Sequence, residues 1–300
     1  METKTVNSPE YAVLQIKAME TNEMQNSPPN TLQYLLQARF SDAPKDVPDL
    51  KALHPLAARG SCRTFQEKAI PHQLVEILCA VAFAAPTKSD LQQRDIVILQ
   101  DPKQKAALAA LVSGQTWVAD APMIAVFCGN NRRQRQIHGW YDVPFANDHF
   151  DAVFNATADA ALALGAFVYA AEAIGLGCCP ISAVRNEAAS VSRLLNLPAY
   201  VFPFAGLAFG YPSAPPQVSQ RLPLSVTYHV DHFSEDNVQT KIQDYDTSRR
   251  ENAPYQSQRF PETFGHSPTY GWSDDKMRQY SQPERADFGA YLRAMGFVFE

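Results

Sequence analysis

The stretch AALALGAFVYAAEAIGLG, residues 160–177, decides what kind of chain this is. It is the most apolar window of the sequence, long enough to raise the question of a membrane span. Glu172 falls inside it, and glycines interrupt it at 165, 175 and 177. Those interruptions make it a poor span. It reads instead as the later part of a helix over 151–175, buried on nearly all sides, as in a large core or a subunit interface.

Outward from this helix, short apolar runs alternate with helical spacing. Upstream, RDIVILQ (94–100) and APMIAVFCG (121–129) read as buried strands, with DPKQKAALAALVSG (101–114) as a helix between them. PHQLVEILCAVAFAAPT (71–87) is a helix opened by Pro71 and closed by Pro86. Downstream come GCCPIS (177–182) as a short strand or loop, RNEAASVSRLLNLP (185–198) as a helix, and YVFPFAGLAFGYP (200–212) as a strand. The proline inside that last strand predicts an edge position or a bulge. NNRRQRQIHGWYDVPFANDHF (130–150) reads as an exposed insertion, the chain turns polar from Asp231, and 283–297 forms a closing amphipathic helix. Residues 1–50 read as an N-terminal arm with a short helix at 31–40, and 51–300 as one compact domain of mixed α/β character.

The bulk numbers set limits on function. Apolar residues make up 46% of the 300, enough for a sizeable core, and the net charge is −5. That charge argues against coating nucleic acid or an anionic membrane. The five cysteines, an odd count, follow an N-terminus without a basic start and apolar run. They are expected to be reduced in a cytoplasmic chain, with the Cys178–Cys179 doublet acting as two small buried hydrophobes.

The familiar catalytic and nucleotide-binding signatures are absent. GLGCCP lacks the third glycine of a dinucleotide fingerprint and follows a helix rather than a strand. HVDH (229–232) offers two histidines without the rest of a metal set, so no metal is expected. RGSCRTF (59–65) is different. Arg59, Ser61 and Arg63 alternate, so in an extended stretch they project to one face, where two guanidinium forks and a hydroxyl suit a phosphate. APTKSDLQ (85–92), GQTWVADAP (114–122), the turn at 175–187 and the GYP…RLP segment (210–223) add hydroxyls, amides and one more arginine.

Taken in order, RGSCRTF, APTKSDLQ, SGQTWVADAP, IGLG (174–177), PISAVRN (180–186), LNLP (195–198), GYP, RLP and GWSD (271–274) resemble the FMN-dependent nitroreductase family, in its NADPH-dependent nitroreductase and flavin reductase branch. The resemblance covers roughly 55–297. It implies an α+β three-layer sandwich with a mostly antiparallel central sheet flanked by helices, in a homodimer with a swapped C-terminal extension. It implies FMN as cofactor and NADPH as co-substrate, with hydride passing through FMN to nitroaromatics, quinones or free flavin.

Carried over by position, Arg59, Ser61, Arg63 and Arg221 would hold the FMN phosphate and ribityl chain. Thr87, Ser89 and Gln92 would sit at the flavin edge, Gln115 at the pyrimidine end, and the backbone of Ile181, Ser182 and Ala183 near the hydride-accepting nitrogen. Arg249 and Arg250 would take the NADPH ribose phosphate, with Arg259 as a second contributor; the patch Arg132, Arg133, Arg135 is a rival. Trp117, Trp140, Tyr141 and Phe145 could wall an acceptor pocket. The resemblance names no catalytic side chain. This chain departs from the family in two places: Ser219 replaces a phosphate-side lysine, and Ile181-Ser182-Ala183 replaces a more open Ile-Gly-Gly turn. Those departures motivate the reading of a non-catalytic flavin-binding protein; another alternative is a specialised ene-reductase, dehalogenase or oxidase on the same scaffold.

Overall fold

Val126 and Phe127 adjoin in sequence, yet each is fully buried, because the sheet that holds them is covered on both faces. The computed structural model describes residues 31–300 apart from position 113. The chain runs through α1 (Leu32–Arg39), α2 (His54–Ala58), α3 (His72–Phe83), β1 (Arg94–Leu99), α4 (Pro102–Leu111), β2 (Met123–Asn130), α5 (Arg132–Trp140), α6 (Phe150–Ala173), β3 (Gly177–Ile181), α7 (Ala188–Leu194) and β4 (Val201–Gly210). It continues through α8 (Leu224–Thr227), α9 (Val238–Asn252), α10 (Pro261–Phe264), α11 (Trp272–Tyr280) and α12 (Phe288–Ala294). These elements form two compact units, one of Ser61–Pro216 with Arg285–Glu300, the other of 31–60 with Gln217–Glu284. The part of the expected N-terminal arm before residue 31 lies outside the described residues.

In the first unit the strands are ordered β1-β2-β4-β3, every neighbour antiparallel. Strand residues alternate between faces. Ala125, Phe127, Leu207 and Phe209 pack against Leu74 and Leu78 of α3 and Ala163 and Phe167 of α6. Ile124, Val126, Cys128 and Ala208 face the other way, onto Leu108 of α4 and Val191 of α7. The result is helix, sheet, helix: the α+β sandwich expected. Phe167 meets Phe127 and Phe209 edge to face, at 5.7 and 5.1 Å, and locks α6 to the sheet.

Pro203 sits in an interior strand, and of the two alternatives, edge or bulge, the strand adopts the bulge. It is tolerated because the β2–β4 register shifts between Phe127 and Cys128, and because β3 pairs only with Gly206–Gly210, leaving no ladder partner beside Pro203 on that side. The insertion at 130–150 is helical over α5, whose Arg133 pairs with Asp95 at 2.8 Å and whose Arg135 pairs with Asp148 at 2.5 Å. The long helix α6 is not buried all round: Phe154, Leu162 and Tyr169 are exposed along one flank. Cys178 and Cys179 are buried, and none of the five cysteines forms a disulfide.

In the second unit α1 packs on α2 through Leu32, Leu35 and Ala57. Thr31 caps α1 by accepting from the Tyr34 amide. The polar stretch after Asp231 contains the 15-residue helix α9, which packs against α11. Its charged sequence shows little apolar stripe. At the start of α11, Asp275 is buried and accepts from Arg259 Nε at 3.0 Å, Tyr270 Oη at 3.0 Å and Lys276 Nζ at 2.7 Å. Burial alone would raise its pKa. The hydrogen bonds from Lys276 and Tyr270 and the charges of Lys276 and Arg259 outweigh burial and hold the carboxyl below its ordinary value.

A depressed folded pKa adds stability that is complete above the unfolded carboxyl pKa and is lost as pH falls through the folded one. Asp275→Asn is therefore expected to cost about 1–3 kcal/mol near neutral pH. The gap to wild type should close below about pH 4. Denaturant melts of both proteins across pH check this; a gap unchanged at low pH would contradict the ion-pair assignment.

Candidate flavin site

The RGSCRTF stretch lies extended along the sheet from Ser61 onward. Ser61 bridges Cys178 in parallel, the Cys62 amide donates to the Cys178 carbonyl at 2.9 Å, Phe65 bridges Pro212, and the Gln66 amide donates to Tyr211 at 2.8 Å. The alternation holds: Cys62 is buried while Ser61 and Arg63 are exposed. Two glycines make room for it. Gly177 and Gly210 are cross-strand partners. A Cβ on Gly177 would come within 2.6 Å of the Cys62 Cβ and Sγ, and one on Gly210 within 3.0 Å of the Phe65 ring. The glycines of IGLG and GYP are thus tied to RGSCRTF by close backbone approach.

Arg63 lays its guanidinium over the Trp117 ring at 5.8 Å. This brings the Gln115–Val118 turn beside the opening stretch, and Arg63 makes no ion pair among the described residues. Gln115 is half-buried and lines a small hollow with Ala106, Ala109 and Ala110 of α4. At the exit of β3, Ile181 and Ala183 are buried while Ser182 is exposed. The Ser182 hydroxyl accepts from Arg285 Nη2 at 3.3 Å, and Arg285 Nε donates to Asn186 Oδ1 at 2.8 Å. The side chains that replace glycines are thus directed to the core and to Arg285. Arg285 carries no motif signal and escapes sequence reading.

Thr87, Ser89 and Gln92 lie on a tight turn. Ser89, Asp90 and Gln92 all have left-handed backbones, with φ of 46, 57 and 52°. Gln92 Nε2 donates to Asp90 Oδ1 at 3.0 Å. Arg133 Nη2 donates to the Gln92 carbonyl at 2.8 Å and Gln134 Nε2 to that of Leu91 at 2.5 Å. Arg133 and Arg135 thus make structural contacts within the first unit. Phe145 packs on His138 and Arg135, and Trp140 and Tyr141 are exposed, while Trp117 is engaged by Arg63; these aromatics have different neighbours.

In the second unit, Arg39 gathers residues that lie far apart in sequence. It is 7% exposed. It donates to the carbonyls of Ala57 at 2.9 Å, Arg59 at 2.6 Å and Ser219 at 3.2 Å, and its own carbonyl accepts from the Arg221 amide at 2.8 Å. Ser219 takes a new role here: its hydroxyl accepts from Arg221 Nη1 at 2.6 Å. Sequence reasoning missed Arg39 because an arginine at a helix C-terminus reads as a solvated end.

Arg249 and Arg250 diverge. Arg249 donates to the Tyr245 hydroxyl at 3.4 Å and lies over Tyr255 at 4.9 Å. Arg250 donates to the Thr269 carbonyl at 2.9 Å and lines a groove of about 670 Å³ with Gln243, Asp246, Thr247 and Ser273. Arg259 is held by Asp275.

Comparison with known proteins gives the family. Residues 56–211 match the nitroreductase family, and residues 219–300 match its C-terminal domain. The chain is 28% identical to an FMN reductase [NAD(P)H] of Bacillus subtilis, over 83% of this chain and 99% of that one. It is 31% identical to an oxygen-insensitive NADPH nitroreductase of Salmonella typhimurium, over 59% of this chain and 72% of that one. The solved structure of NfrA2 from B. megaterium superposes with a TM-score of 0.76 at 29% identity, covering 83% of this chain and 99% of that one. With its motifs in register on this sheet and a family match across more than half its length, the chain belongs to the nitroreductase family.

Proposed function

We infer that this protein is an NAD(P)H-dependent oxidoreductase that works through bound FMN, with nitroaromatics, quinones or free flavin as electron acceptors. The observation that carries the reading is the joining of three motifs in the first unit: Ser61 and Arg63 lie along β3, Arg63 meets the Gln115–Val118 turn, and β3 exits into Ile181–Ala183. The donor chemistry fits FMN. An exposed hydroxyl and a guanidinium without an ion pair among the described residues suit a phosphate. Bound FMN supplies the hydride chemistry, and the protein supplies binding, orientation and electrostatics.

In that role Ser61 and Arg63 bind the phosphate and ribityl chain. Thr87, Ser89 and Gln92 line the flavin edge, Gln115 meets the pyrimidine end, and the 181–183 backbone borders the reacting ring. Arg59 and Arg221 are the anion-binding cations of the second unit, with Arg39 fixing the backbone of both. Arg250 is better placed than Arg249 for the ribose phosphate that distinguishes NADPH, since it lines a groove while Arg249 is turned onto tyrosines. No side chain is assigned a proton-transfer role.

The protein works as a cytoplasmic homodimer. Support comes from the exposed apolar side chains on two packed helices, Ile77, Val81 and Phe83 of α3 with Phe154, Leu162 and Tyr169 of α6. Residues of that size, left wet, are what a subunit interface covers.

Purified protein supplied with FMN is expected to retain it, to lose its visible flavin absorbance when NADPH is added without oxygen, and to regain it on adding a quinone or nitroaromatic. Protein that takes up no FMN, or FMN that NADPH leaves oxidised, would defeat the reading. In the same assay Arg250→Ala should narrow the preference for NADPH over NADH. Arg63→Ala should weaken FMN binding by about 1.5–3 kcal/mol, roughly 10- to 100-fold in Kd, measured by flavin titration. Sedimentation should give a dimer for the wild type and a smaller species for Leu162→Arg; a monomeric wild type refutes the interface.

A further inference from the structure

We propose that Asp159 is a positioning residue: it holds the Thr87–Gln92 turn in the left-handed backbone that presents this turn to the flavin edge. The proposal rests on the flavin reading above. It goes beyond that reading by giving a role to a carboxylate that none of the motifs contains.

Asp159 lies in the middle of α6, in the most apolar helix of the chain, and is 0% exposed. A buried carboxylate is costly unless both oxygens find donors. Its Oδ1 accepts from the Lys88 amide at 2.9 Å and its Oδ2 from the Gln93 amide at 2.8 Å. Those amides bracket the segment in which Ser89, Asp90 and Gln92 have φ of 46, 57 and 52°. Three non-glycine residues in that region within four positions is a strained arrangement that must be held from outside.

The other restraints on the segment work differently. Arg133 and Gln134 donate to carbonyls at 92 and 91, and Arg94 Nη2 donates to the Phe83 carbonyl at 2.5 Å, before the turn begins. Asp159 is the group that takes up amides at both ends of the turn, and so it fixes the span between them. An apolar residue there would leave the buried Gln93 N–H and the part-buried Lys88 N–H without their acceptor and the strained turn free to relax.

The test uses Asp159→Asn, which keeps the volume and turns one acceptor oxygen into a donor. A second variant adds Asp90→Gly, which lowers the cost of a left-handed backbone without touching α6. In protein without flavin, hydrogen exchange at the Lys88 or Gln93 amide should quicken in Asp159→Asn. On titration with FMN its Kd should rise by about tenfold or more, the equivalent of one lost charge-assisted bond. Asp159→Asn/Asp90→Gly should recover a substantial part of that loss. A purely structural carboxylate predicts a lower melting temperature with FMN affinity unchanged in the folded protein and no recovery from Asp90→Gly; that result overturns the proposal. If Asp159→Asn does not fold, wild-type exchange decides: fast exchange at both amides overturns the proposal, and protection at both supports it. Wild type that takes up no FMN defeats the flavin reading and this role with it, whereas wild type that binds FMN no better than Asp159→Asn defeats this role alone.

Discussion

Covering the sheet on both faces constrains where function can sit in the first unit. Ala125, Phe127, Leu207 and Phe209 are spent on one helical layer, and Ile124, Val126, Cys128 and Ala208 on the other. Most strand positions are taken up by these two layers. Binding groups have to come from strand ends, from turns, or from a segment laid against the sheet. That is where Ser61, Arg63, the Gln115–Val118 turn and Ile181–Ala183 are found. It also explains why the site is written as short motifs spaced along the chain rather than as one cluster.

The same constraint governs what could be read in advance. Strands and core helices announce themselves by apolar runs, so β1, β2 and α6 are legible within a residue or two, and α3 at its start though it ends at Phe83, before the Pro86 stop. The alternation of Ser61, Cys62 and Arg63 is legible because an extended stretch shows its period directly, whereas Arg59 closes α2 in the second unit. Pro203 was legible as an irregularity but not as an interior one, since a proline does not say which neighbouring strands stop short of it. The helix α9 was hidden because VQTKIQDYDTSRREN is polar nearly all round, and its stability depends on packing with α11.

The unreadable part of the candidate site consists of charged side chains that act on backbone rather than on a ligand. Arg39 at the end of α1 looks like any solvated helix terminus, yet it ties together carbonyls at 57, 59 and 219. Asp159 looks like an interruption of an apolar helix, yet its two oxygens serve two distant amides. Neither has a local motif, because the partners lie 18 to 180 positions away and share only the need to satisfy a buried donor or acceptor.

This division of labour bears on how the chain tolerates its departures from the family. Ser219 brings no charge, but its hydroxyl accepts from Arg221. Ser182 and Ala183 add side chains where glycines were expected, but one points to Arg285 and the other into the core, so the added atoms are accommodated by side-chain direction. Where a cofactor carries the chemistry, the protein's task is to hold backbone and donors still. Arg39 in one unit and Asp159 in the other are buried groups of that kind, each holding backbone far away in sequence through more than one hydrogen bond.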